Sequence, residues 1–232
     1  MQNINQIRAT SIWIFILPIV VLNLCLFISV NGHLLQGTIF QVDAIGRSSF
    51  TIPYIDGGTS ISRSSRTYPA YLLFKPGMII TGILLIKYWL AYNRLVNEVY
   101  VQIKNNHFIF FGIGSAIFLI LHSIFLGIHF DNSLYKLFRR VVILLFIIFE
   151  IVAQGYLVFN LYKIKEKISK LINIKILKLK RFLVTLLVVV AIASIPIISM
   201  PGNKFFKHAL EWDFFLGVIT FYLLTFFLWK KK

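Results

Sequence analysis

The sequence predicts an all-α integral membrane protein: one domain, a bundle of six transmembrane helices with both termini in the cytoplasm and a long first outer loop. Three observations carry that reading. Hydrophobic residues make up 58% of the 232 positions, and 23 of them are Phe. Charged residues account for only 14%, against about 25% in ordinary globular domains. The apolar residues also come in blocks that approach or exceed the roughly 18–20 residues needed to cross a bilayer. Together these exclude a disordered chain, a coiled coil, a secreted disulfide scaffold and a soluble domain.

The first span covers about 11–30 and follows Arg8. Its apolar run is longer than the 7–15 residues of a secretory leader, and the Ser-Val-Asn-Gly after it is no small-x-small cleavage site, so it reads as a retained helix. The loop 31–68 comes next. Its stretches Gly37-Thr-Ile-Phe-Gln-Val-Asp and Ser49-Phe-Thr-Ile-Pro-Tyr-Ile are β-branched and aromatic, with the turn formers Gly46 and Ser48 between them. They read as a short hairpin. The residues 56–67 after them are polar, with Arg63 and Arg66 among hydroxyls. The second span covers 69–90, the third 108–128 and the fourth 141–161.

Residues 162–181 alternate Lys with Ile and Leu, and Ile164, Ile168, Leu171, Ile172 and Ile176 recur at helical spacing. This is the pattern of a basic amphipathic helix lying on a membrane surface, where anionic lipid headgroups are its expected partner. The fifth span covers 182–200 and the sixth 212–229. The closing Trp-Lys-Lys-Lys is a stop-transfer flank.

Charge sets the topology. Arg8, Arg94, Lys104, the Lys/Arg run of 163–181 and the lysines of 230–232 fall on one side of the membrane. Arg47, Arg63, Arg66, Lys136, Arg139, Arg140, Lys204 and Lys207 fall on the other. The first set is larger, which places both termini in the cytoplasm. The formal charge of +16 therefore belongs to loops and lipid contacts rather than to nucleic acid. Cys25 stands alone, so no internal disulfide or thiolate cluster is available. The Ile, Lys, Asn and Phe content suits a low-GC microbe, in which the plasma or inner membrane would be the location.

An ionisable residue inside a span is costly and is a functional candidate by default. Glu150 lies about ten residues into the fourth span, with Gln154 one turn on along the same face. It reads as a proton-relay or lipid-site carboxylate, or as a carboxyl that hydrogen-bonds helices together. His122 and His129 lie seven apart in the third span, followed by Asp131. They are a candidate zinc set for attack on a lipid ester, or interfacial histidines facing headgroups. His208, Glu211, Trp212 and Asp213 cluster at the outer start of the sixth span. There acids suit the helix dipole and Trp the interface, and the cluster can also face a headgroup. Arg63 and Arg66 with neighbouring hydroxyls and amides are a candidate phosphate site, or a solvated loop. No P-loop, nucleophile-elbow or zincin motif is present, and no cofactor is expected.

Two stretches resemble a known family. Phe50-Thr-Ile-Pro-Tyr-Ile-Asp-Gly-Gly-Thr, then Tyr68-Pro-Ala and Leu73-Phe-Lys-Pro-Gly, resemble the first luminal loop and second helix of the Frag/DRAM/Sfk six-span proteins. That family includes the FGF-receptor-activating protein and the damage-regulated autophagy modulators. His208-Ala-Leu-Glu211-Trp212 before an aromatic last span resembles the family's Glu-Trp. The motif serine before Asp56 is missing, and the loop carries an Arg/Ser insertion before Tyr68. The resemblance implies lipid-related work, since relatives take part in anchor-lipid remodelling, autophagy, lipid asymmetry and phosphoinositide-kinase regulation. The expectation is a protein that binds or modulates membrane lipid without catalysis, with Asp56, Arg63, Arg66, His208, Glu211 and Trp212 near the headgroup. The alternatives are a lipid hydrolase or transferase using His122, His129 and Asp131, and a small proton-linked transporter centred on Glu150.

Overall fold

Lipid tails offer the backbone no hydrogen bonds, so each apolar block closes its own as a helix. The computed structural model describes residues 2–41, 50–99, 107–128 and 133–230. Six long helices run through it: α1 (Gln2–Val30), α4 (Ala70–Val99), α5 (His107–Phe125), α6 (Ser133–Lys163), α7 (Ile174–Ser199) and α8 (Lys204–Leu228). Two short ones, α2 (Pro53–Asp56) and α3 (Ile61–Ser65), lie in the first loop. All six long helices are long and apolar enough to cross a membrane. The chain is thus an all-helical, multi-pass membrane protein.

Most of these helices outrun the apolar blocks. α6 begins at Ser133 and has 31 residues, about 46 Å against a hydrocarbon core of about 30 Å. Its first two turns, with Lys136, Arg139 and Arg140, therefore stand at headgroup level. α1 likewise starts well before residue 11. Hydropathy marks the lipid-immersed part, while backbone bonding continues into the polar flanks. α5 goes the other way and stops at Phe125, where Gly127 takes a positive φ.

Consecutive spans pack side by side, and α8 returns to α1, which also packs on α4, so the six helices close into a ring. Close approach depends on small residues. At Gly112 of α5 a Cβ would stand 2.4 Å from the Trp89 ring of α4. Both termini lie at one end, here the terminal face. There Asn3 Nδ2 donates to Glu98 Oε1 at 2.6 Å, and Trp229 Nε1 donates to the Tyr92 hydroxyl at 3.0 Å. The opposite end, the loop face, carries α2 and α3. Beneath the terminal face, Tyr88 meets Trp89, Tyr92 and Tyr222 edge-on, with centroids 4.9–5.0 Å apart. Such pairs contribute about 0.5–1.5 kcal/mol each beyond burial.

Two sequence expectations change. Among the described residues of the first loop there is no strand. Pro53–Asp56 is a helical turn with Pro at its start and Gly57 at its left-handed C-cap, because Pro fixes a helical φ and donates no ladder bond. The rest of the expected hairpin, 42–49, lies outside the described residues. The segment 162–181 is also not one surface helix. α6 ends at Lys163, turns follow, and α7 starts after Asn173, whose side chain accepts from the Lys175 N–H at 3.0 Å. Ile164, Ile168 and Ile172 are buried in the core, which pulls the chain inward. It then pairs with the C-terminus, with Asn173 N–H to the Leu228 carbonyl at 2.8 Å and Lys230 N–H to the Leu171 carbonyl at 2.9 Å. Lys165, Lys167 and Lys170 remain exposed on the terminal face.

Candidate functional site: a cavity inside the helix ring

The ring encloses a cavity of about 980 Å³, at the upper end of the roughly 300–1,000 Å³ of ligand pockets. Each long helix contributes wall. Pro18 comes from α1, Phe74 and Met78 from α4, Leu119 from α5, Ile143 and Ile147 from α6, Ala191 and Ser194 from α7, and Phe214 and Ile219 from α8. Ile61 and Ser62 of α3 reach it from the loop face.

The cavity opens sideways. Leu144 of α6 and Ile195 of α7 both line it, yet are 55% and 61% exposed. In the loop-side half, these two helices therefore leave a gap toward lipid. Nearer the terminal face, Ile151, Leu187 and Val218 pack together and close α6, α7 and α8.

The floor is polar. Glu150 is fully enclosed and accepts from the Ser115 hydroxyl at 2.6 Å, from Gln154 Nε2 at 3.0 Å and from the Tyr222 hydroxyl. Gln154 also donates to the Val218 carbonyl at 3.2 Å, while its Oε1 is buried without a partner. All three side-chain partners donate, so the carboxyl acts as an acceptor that ties α5, α6 and α8 together. Below it lies Lys180 of α7, wholly buried. Its ammonium bonds the Thr225 hydroxyl and stands 3.5 Å from the centre of the Phe221 ring.

The mouth is basic. Among the described residues Arg66, Lys136, Arg139, Arg140 and Lys207 line the loop-side part of the cavity with one carboxylate, Glu211. Among the described residues none of these five cations is ion-paired. Arg139 lies over the Tyr135 ring at 5.9 Å, and Lys207 Nζ donates to the Met200 carbonyl at 3.4 Å. Burial, then the charges of Arg139 and Arg63, push the Arg66 pKa below its ordinary value. Glu211 faces the backbone N–H groups of Ser62 and Ile61, the orphan donors at the start of α3. His122 is buried in the same wall, and its Nδ1 has no hydrogen-bond partner.

The structure separates the candidates read from sequence. Arg66, Glu211, His122 and Glu150 line the cavity, with Gln154 bonded behind Glu150. Asp56 instead shapes the first loop from within, and His208 and Trp212 dock it on α8. Asp56 accepts from the Thr51 hydroxyl at 2.5 Å, the Gly58 N–H at 2.8 Å and the Ile52 N–H at 2.9 Å. His208 Nδ1 meets the Gly57 carbonyl at 2.9 Å, Trp212 Nε1 donates to the Thr59 carbonyl at 2.9 Å, and the Trp212 ring meets Tyr54 edge-on. Arg63 is half-buried in α3, with its Nε enclosed and unpartnered. His129 and Asp131 lie outside the described residues. Among the described residues no three His, Cys, Asp or Glu side chains gather as metal ligands.

Sequence reading passed over Lys136, Arg139, Arg140, Lys180 and Lys207 as topology charges, and Tyr222 and Ser115 altogether. The signal for the first group was their place on the span-proximal turns. For the second there was none, because an apolar run conceals which face meets a distant helix.

No protein-family model matches this chain, and no curated protein or solved structure matches it.

Proposed function

We propose that this protein binds a membrane lipid without acting on it chemically. The lipid enters from the loop-side leaflet between α6 and α7. Its acyl part occupies the apolar shaft and its headgroup the basic mouth. The sideways opening carries this reading: a pocket for a soluble ligand would open to water, whereas Leu144 and Ile195 are both pocket wall and lipid-facing surface. Burying acyl carbons is worth about 0.8 kcal/mol per CH₂ when the alternative is water. From lipid that gain is absent, so headgroup contacts and shape must select the ligand.

Part of the same proposal is the orientation with the terminal face in the cytoplasm of a plasma or inner membrane. The Lys/Arg excess there supports it, with Lys165 and Lys170 exposed where anionic headgroups would lie. Membership of the Frag/DRAM/Sfk family also belongs here. The motif residues Asp56, Gly57 and Trp212 support it by having a joint task, fastening the first loop over the bundle.

The test is native mass spectrometry of protein purified in mild detergent, with Ser194→Phe and Ala191→Phe as shaft-filling variants. Wild type should carry about one lipid per chain, and the variants at least fivefold less with unchanged helicity. Lipid content equal in wild type and filled variants would overturn the proposal.

A further inference from the structure

We infer that the cavity mouth is a phosphomonoester site, so that the lipid taken up carries a terminal phosphate rather than a zwitterionic headgroup. This rests on the lipid-binding reading above and adds the ligand's chemistry. Arg66, Lys136, Arg139, Arg140 and Lys207 converge on one mouth, and among the described residues none is ion-paired. Like charges held together repel one another unless an anion joins them. A phosphomonoester brings about −1.5 to −2 charges and three strong acceptor oxygens, which guanidinium groups meet in bidentate fashion.

A phosphocholine-type headgroup fits less well, because its ammonium needs an acid or an aromatic cage. Among the described residues the one carboxylate in the mouth, Glu211, is turned to the backbone N–H groups of α3. Tyr135, a ring beside the cations, already lies against Arg139. A second observation points to a ligand independently. His122 lines the cavity, is buried, and presents an Nδ1 with no protein partner, which the structure leaves for a group inside the cavity.

The test uses full-length protein in detergent and binding read by native mass spectrometry. Phosphatidate and phosphatidylcholine of equal chain length are titrated, with and without inorganic phosphate. Phosphatidate should bind at least tenfold more tightly than phosphatidylcholine. Arg139→Gln with Arg140→Gln should erase that preference, lowering phosphatidate affinity at least tenfold toward that of phosphatidylcholine. Lys136→Gln, an exposed position that folding tolerates, should reduce it several-fold. Failure of millimolar inorganic phosphate to displace phosphatidate would support a lipid source. Displacement by inorganic phosphate as potent as by phosphatidate would support the phosphate site while overturning its lipid source. Equal affinity for the two lipids, both lost in Ser194→Phe, would overturn this inference and leave lipid binding standing.

Discussion

Tyr222 of α8 donates its hydroxyl hydrogen bond to the carboxyl of Glu150 on α6, across the bundle at the floor of the cavity. The bond joins helices that otherwise touch sparsely, since the cavity separates them. Ser115 and Gln154 complete the set. The polar floor therefore holds α5, α6 and α8 together by directional bonds at one level.

Removing that acceptor leaves three buried donors without it. Two of these bonds, from Ser115 and Tyr222, run between helices, where each is worth about 0.6 kcal/mol, so Glu150→Ala should cost at least about 1 kcal/mol. Glu150→Gln keeps an acceptor oxygen and should cost less than half of that. Thermal unfolding in detergent reads both. Equal losses would show that charge, rather than acceptor capacity, holds the floor.

Gly57 is held on both sides. Its φ is +61°, and a Cβ there would stand 1.8 Å from the Phe205 carbonyl oxygen of α8. Gly57→Ala should release the first loop from α8, at a conformational cost of at least about 1 kcal/mol before the clash is counted. Limited proteolysis should then cut between residues 31 and 68 several-fold faster, while the six spans stay intact.

Acid should loosen the same loop. Bonds from the Thr51 hydroxyl, then from the Gly58 and Ile52 amides, hold the Asp56 pKa below its ordinary value. A depressed folded-state pKa means that the contribution is present above the ordinary carboxylate range and is lost as pH falls through the folded value. Protease sensitivity of the loop should therefore be flat from pH 7 down to about that range and rise below it. Asp56→Asn should remove the pH dependence and show raised sensitivity throughout.

Lys180 offers a test in the opposite direction. Its ammonium is wholly buried on Thr225 and the Phe221 face, with no carboxylate partner among the described residues. Replacing buried charge by an apolar side chain of similar length is often neutral or stabilising by about 1–4 kcal/mol. Lys180→Met should leave the melting temperature unchanged or raise it, and Lys180→Ala should lower it by opening a void. A large drop with Met would assign the charge a structural role.

The apolar blocks by themselves determined six helices, and the even number of spans put both ends on one face. That follows because lipid allows an isolated segment only one way to satisfy its backbone. Glu150 and Gln154 were legible too, since polar groups in an apolar run stand out. What the sequence left open is which helix each face meets. The ring that sets Tyr222 against Glu150, the burial of Lys180 within a segment rich in exposed lysines, and the use of His208 and Trp212 to dock a loop all depend on contacts between residues far apart in the chain. The cavity is of the same kind. Its walls are Leu, Ile and Phe like any others, and only the splaying of α6 from α7 in the loop-side half makes them a pocket.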